Sequence, residues 1–217
     1  MKLTNRQLYD YARSEHDDTN GEFWKPAVFV RNYEAARLRW IAKRLPLAES
    51  DEQMRRDLEV FMAEPHNFGS TNRVALQALI HPYLGKTAVH GEWNFVCNGR
   101  TTPRTLPIPP RRIEVLIPAL TDFTEQPEDT DPVYIEEREG EFMYLRILSR
   151  NVPSNLTVHY VTEPKPFRLI EEPSGFTQEG YSQQLQIVSL AMFGREITVE
   201  NYNKAQAEMQ KTALVGA

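Results

Sequence analysis

NLTVHYVT (Asn155–Thr162), EPKPFRLIEEPS (Glu163–Ser174) and the apolar-striped residues that follow decide how this chain is read. The first alternates β-branched and aromatic side chains and predicts a strand. The second carries Pro164, Pro166 and Pro173 and reads as a hinge. Beyond it two helices are predicted. Tyr181, Leu185, Val188 and Met192 share one face of the first, and Tyr202, Ala205, Met209 and Ala213 share one face of the second. Gly194 is placed to stop the first and Thr198 to cap the second. A connection this short makes them an antiparallel hairpin, whose apolar faces need cover from elsewhere in the chain.

The N-terminal residues offer that cover. Thr4 and Gln7 have the spacing of a capping box, which predicts a helix from Asn5 to about His16 with Leu8, Tyr11 and Ala12 buried. Pro26 suits the first turn of a second helix, running to about Leu45. Its stripe is Phe29, Tyr33, Ala36, Trp40 and Ile41, with Arg31, Arg37, Arg39, Lys43 and Arg44 elsewhere on the cylinder. Ser50 and Gln53 predict a third helix to about Ala63, with Met54, Leu58, Phe61 and Met62 inward. Ser70 can cap a fourth, carrying Val74, Ala75, Ala78 and Leu79 and ending near His81 before Pro82.

From about Lys86 the pattern changes to short strands: Trp93–Cys97, Arg112–Leu120, Pro132–Glu139, Glu141–Leu148 and Asn155–Thr162. Glu139-Gly140 predicts a tight turn between two of them. The fold class expected is therefore α+β. A helical bundle forms from the N-terminal helices (1–85) and the C-terminal hinge and hairpin (163–217), with a small antiparallel β module (86–162) inserted between them.

Composition sets the outer bounds. The chain has 217 residues, 41% hydrophobic and 25% charged, enough to bury a sizeable core without covalent staples. Cys97 stands alone, which excludes an intramolecular disulfide and a multi-cysteine metal site. The N-terminal MKLTNRQLYDYARSEHDD lacks the apolar core of a secretory signal, and no stretch is apolar enough for a membrane span. No membrane partner is expected.

Little in the sequence points to catalysis. His90-Gly91-Glu92 is a fragment of the zinc-deaminase H-x-E pattern, but the P-C-x-x-C that would complete it is missing. The five histidines (His16, His66, His81, His90 and His159) are never spaced i, i+4, so metal binding would require convergence in the fold. Phosphate-cradling, dinucleotide and nucleophile-elbow motifs are absent. The expectation is a protein without enzymatic activity, cofactor or metal.

Charge placement is more telling. Arg100, Arg104, Arg111 and Arg112 form a block with no acid among them, whereas Asp122 to Glu141 hold nine acids against Arg138 alone. Blocks of opposite sign fit a heterologous interface between copies of one chain. The candidates on the two sides are those four arginines and Glu128, Asp129, Asp131, Glu136 and Glu137. A net charge of −5 argues against a dedicated nucleic-acid reader, although mixed walls suit a conduit through which DNA slides.

Three stretches carry a resemblance. Leu106-Pro107-Ile108-Pro109-Pro110 leads into RRIEVLIPAL, Glu141 to Thr162 reads as paired strands ending in an aromatic, and Thr177 to Leu214 reads as a closing hairpin with Asn201, Lys204 and Ala205 in its second helix. In this order they resemble the head-to-tail connector (adaptor) proteins of tailed bacteriophages, of the tail tubular protein A kind. The helices from Ser50 to Leu84 make the N-terminal part larger than a minimal adaptor.

The resemblance implies a structural virion protein, in a homo-oligomeric ring, usually a dodecamer, at the portal vertex. Such a ring docks under the portal protein, carries tail or further ring proteins and surrounds passing double-stranded DNA without reading its sequence. Assembly would occur in the host cytoplasm. Leu214, Val215, Gly216 and Ala217 are candidates for docking to the portal, and no residue is assigned to the DNA channel. Two alternatives stay open: a metal-dependent enzyme centred on HGEW with His81 and Glu92, and a host-directed adaptor that binds another protein through the β module.

Overall fold

The computed structural model describes residues 2–15, 25–97, 99–111 and 127–194. These residues contain four α-helices and seven strands: α1 (Asn5–Glu15), α2 (Pro26–Arg44), α3 (Glu52–Leu58), β1 (His66–Asn67), β2 (Arg73–Ala75), β3 (Tyr83–Cys97), β4 (Arg100–Pro107), β5 (Val133–Glu139), β6 (Phe142–Leu148), β7 (Asn155–Thr162) and α4 (Tyr181–Phe193). Two compact units result: Met1–Arg44 with Pro164–Ala217, and Leu45–Glu163 between them.

The first unit is helical. Its α1 opens on the expected capping box: the Thr4 amide donates to Gln7 Oε1 at 2.9 Å, and the Gln7 amide donates to Thr4 Oγ1 at 3.2 Å. On α2 the whole predicted stripe is buried, from Phe29 to Ile41. Tyr9 meets the edge of Phe29 at 5.4 Å between ring centroids, and Phe167 inserts between Phe29 (5.7 Å) and Tyr33 (4.8 Å). The Pro-rich stretch is thus a packed strap rather than a free hinge. Its Phe167 amide donates to Glu34 Oε1, and Asn5 donates to its Arg168 and Glu172 carbonyls. Gly194 ends α4 in the left-handed conformation, with φ at 69°. The second helix of the predicted C-terminal hairpin lies outside the described residues.

Two arginines of α2 depart from the sequence reading, for Arg37 and Arg44 are buried. Arg37 forms an ion pair with Glu179 at 3.4 Å and donates to the Lys165 carbonyl at 2.8 Å. The Arg44 guanidinium lies 3.8 Å from the Trp40 ring centroid and donates to Gln186, which also accepts from the Trp40 indole. Delocalised guanidinium groups bury more readily than ammonium when donors and an aromatic face are both matched.

The second unit is a β structure of two antiparallel sheets, in the orders β1-β7-β3-β4 and β2-β6-β5. Their inner faces share one core: Val89, Trp93, Leu156, Val158 and Tyr160 from the first, Val74, Tyr134, Leu145 and Ile147 from the second. A two-residue turn at Gly140, with φ at 60°, joins β5 to β6. The Leu45–Leu47 turn closes on β3 so tightly that a Cβ at Gly85 would sit 2.0 Å from Leu45 Cδ2.

This architecture overturns the expected helical bundle with a small β insert. The sheets are the central module of a mixed fold. The compact units divide at Arg44/Leu45 and Glu163/Pro164, where the sequence placed its breaks after residues 85 and 162. The fourth predicted helix does not exist: Arg73–Ala75 is a strand, Leu76–Ala78 a 3-10 turn, and β3 begins at Tyr83. Val74 and Ala75 fit a helical stripe and a strand equally well over so short a span, and pairing of Val74 with Leu145 decides for the sheet. Asp51 rather than Ser50 caps α3, its carboxylate accepting from the Gln53 and Met54 amides. That helix stops at Leu58 and continues as one 3-10 turn to Phe61. The predicted strand Arg112–Leu120 lies outside the described residues.

Candidate functional site

Strand β3 pairs with β7 only as far as Glu92, opposite Asn155, but continues to Cys97 paired with β4. Among the described residues the last part of β3 and the first part of β4 therefore form a two-stranded ribbon beyond the four-stranded sheet. Gly99, with φ at 72°, lies in its turn. Trp93 fixes the base, its indole N–H donating to the Asn151 carbonyl at 3.0 Å. Gly91 leaves room beside it, because a Cβ there would sit 2.4 Å from the Trp93 ring and force it to shift. Past this anchor the ribbon is open: Arg100 to Arg104 are all exposed, and Val96 is 75% exposed.

Two of the four basic candidates thus stand on a strand that the sequence reading did not place. Arg100 and Arg104 are on β4, and the Arg104 guanidinium lies 5.6 Å from the Phe95 ring centroid. Arg111 is exposed, and its amide donates to the Tyr134 carbonyl. Arg112 lies outside the described residues.

The acidic candidates are less available than their sequence suggests. Glu136 pairs with Lys86, and Glu137 pairs with Arg73 (3.4 Å) and Arg146 (3.1 Å). Neighbouring Glu139 pairs with Arg73. Asp129 accepts from the Asn151 backbone at 2.7 Å and from its side chain at 2.5 Å. Glu128 and Asp131 stay exposed on a turn. Three acids of this block are thus charge-paired within the chain, while Glu128 and Asp131 remain exposed and Glu136 is 42% exposed despite its pairing.

A polar cluster lies beside the Leu45–Leu47 turn. Lys86 lies between Glu49 (3.6 Å) and Glu136 and 5.0 Å from the Tyr134 ring centroid, while the Tyr134 hydroxyl donates to Glu49 at 2.6 Å. Burial first, then the neighbouring carboxylates, raise the hydroxyls of Tyr134 and Tyr83 well above the ordinary tyrosine range. Both stay protonated at neutral pH. Tyr134 ties Glu49 to the sheet through its hydroxyl.

The histidines show what the fold brings together. His90 and His159 meet across β3 and β7, with ring centroids 5.0 Å apart. Burial lowers the pKa of both, Arg55 adds to the effect on each, and His90 adds to it on His159. His66 stacks edgewise on Phe68, His81 is exposed, and His16 lies outside the described residues. Sequence spacing gave no sign of the His90–His159 pair, because it arises from strand register across a long chain separation. The proposed grouping of His81 and Glu92 finds no support in a shared ligand set: among the described residues no three His, Cys, Asp or Glu side chains converge as metal ligands. No described helix is long and apolar enough to cross a membrane. The terminal candidates Leu214, Val215, Gly216 and Ala217 lie outside the described residues. No protein-family model matches this sequence, and no curated protein matches it.

Proposed function

We propose that this chain is a structural virion protein of a tailed bacteriophage, a head-to-tail connector that assembles as a ring beneath the portal and surrounds passing DNA. The observation that carries the reading is the β3–β4 ribbon. It extends past its sheet and, beyond the Trp93 and Phe95 side chains that reach the core, exposes Arg100, Arg104 and Val96. A ribbon of this kind suits a contact with a neighbour better than a role inside one subunit. The order of the sequence motifs from Leu106 to Leu214 supports the same reading.

In such a ring the ribbon of one subunit meets the Glu128–Asp131 turn of the next, a heterologous contact between opposite charges. Native mass spectrometry and electron microscopy of the full chain, alone and with its portal complex, test the proposal. Closed rings, or copies seated at the portal vertex, are expected. A virion or portal complex that contains no copy of the chain refutes it.

A further inference from the structure

The two strands that carry His90 and His159 run antiparallel, with Ala88 opposite His159 and His90 opposite Thr157. The histidines are therefore diagonal cross-strand neighbours on one face of the sheet. Val89 and Val158, which alternate with them, point to the core. Both imidazoles are half-buried, so one side of each is reachable from solvent.

Their separation can be compared with what a shared metal would require. With metal–nitrogen bonds of about 2.0–2.1 Å, a ring radius of about 1.2 Å and an N–metal–N angle between about 90° and 110°, the centroids fall about 4.6–5.3 Å apart. The observed separation is 5.0 Å, with the rings inclined at 73°. We propose that His90 and His159 form an open two-imidazole site for a late first-row divalent cation, Zn2+ or Cu2+, completed by water or by a donor atom from outside the chain.

The donor set selects this class. Imidazole nitrogen favours Zn2+ and Cu2+, while Mg2+ and Ca2+ demand oxygen ligands. Coordination requires the neutral imidazole, so metal binding at such a pair should weaken as the pH is lowered. Arg55 lies close enough to act on both rings, and its like charge opposes a bound cation. It also favours an anionic group as the ligand that completes the shell. With two protein ligands the site is coordinatively unsaturated, which distinguishes it from a closed structural zinc site. The inference is independent of the ring proposal.

The test uses the full chain without an affinity tag, carrying Cys97→Ser so that the thiol cannot compete. Zn2+ is titrated calorimetrically in a non-coordinating buffer, with Mg2+ as the control cation. One Zn2+ per chain is expected, with the His90 and His159 ring nitrogens shifting together in NMR spectra and no response to Mg2+. His90→Asn and His159→Asn should each weaken binding by more than about tenfold. Arg55→Ala should strengthen it severalfold. Circular dichroism of the metal-free variants separates loss of the site from loss of the fold. Absence of Zn2+ binding, or binding unchanged in the double variant His90→Asn/His159→Asn, overturns the proposal.

Discussion

Breaking the Arg37–Glu179 pair is the sharpest test of how the helical unit is held together. Both side chains are almost wholly buried, with 4% and 0% of their surface exposed. Their contact is long at 3.4 Å, and Arg37 Nε and Glu179 Oε2 have no partner. Removing one member leaves a buried charge uncompensated, which costs about 3–5 kcal/mol. Arg37→Met also frees the Lys165 carbonyl, placing it at the upper end of that range. Replacing both members, as in Arg37→Met/Glu179→Leu, removes two desolvated charges together. Because the native pair is incompletely hydrogen-bonded, the double variant should lie within about 1 kcal/mol of the parent or exceed it. With a urea dependence of about 2–3 kcal/mol per molar, the single variant should shift the midpoint by roughly 1–2.5 M, toward the upper end for Arg37→Met. Hydrogen exchange of the Tyr33–Ile41 amides confines the reading to the helical unit, so the β unit does not blur it. A single-variant cost under about 1 kcal/mol, or a double variant as unstable as the single, would refute the reasoning.

Further outcomes follow from other features. Gly91→Ala should cost about 1–3 kcal/mol, because the new Cβ meets the Trp93 ring at 2.4 Å; urea unfolding followed by Trp93 emission measures it. Reversing charge on the ribbon, as in Arg100→Glu/Arg104→Glu, should leave monomer stability within about 0.5 kcal/mol and, under the ring proposal, abolish the proposed assembly in native mass spectra. The histidine pair adds a pH dependence. Its folded pKa values lie below the unfolded value of about 6.5, so the unfolded chain binds more protons in that interval. Stability should therefore be full above about pH 6.5 and decline as pH falls through the lowered folded values. Arg55→Ala should raise both midpoints in NMR titrations, and unchanged midpoints would contradict its assigned effect.

Local signals in the sequence were followed closely by the fold, and non-local ones were not. The Thr4–Gln7 reciprocal bonds, the buried face of α2, the turn at Gly140 and the strand Asn155–Thr162 each depend on a few adjacent residues. The segment from Ser70 to His81 has a stripe compatible with either periodicity, and its state is set by β6, far along the chain. Burial of Arg37 was hidden because its partner Glu179 comes from the other end of the sequence. The opposing charge blocks were legible as composition, but the internal pairing of Glu136 and Glu137 was not, since Lys86, Arg73 and Arg146 reach them only across strands. The His90–His159 pair was illegible for the same reason.

The interleaving of the two units imposes an order on synthesis. Helices α1 and α2 leave the ribosome long before α4, the helix against which they pack, while Leu45–Glu163 lies wholly between them and has its own core. The sandwich is therefore free to fold first, before the strap and α4 have been made. Until then the nascent chain bears the uncovered aromatic face of Phe29, Tyr33 and Trp40, a surface suited to capture by a holdase chaperone. A stalled chain lacking α4 should remain bound to such a chaperone, and release should await α4.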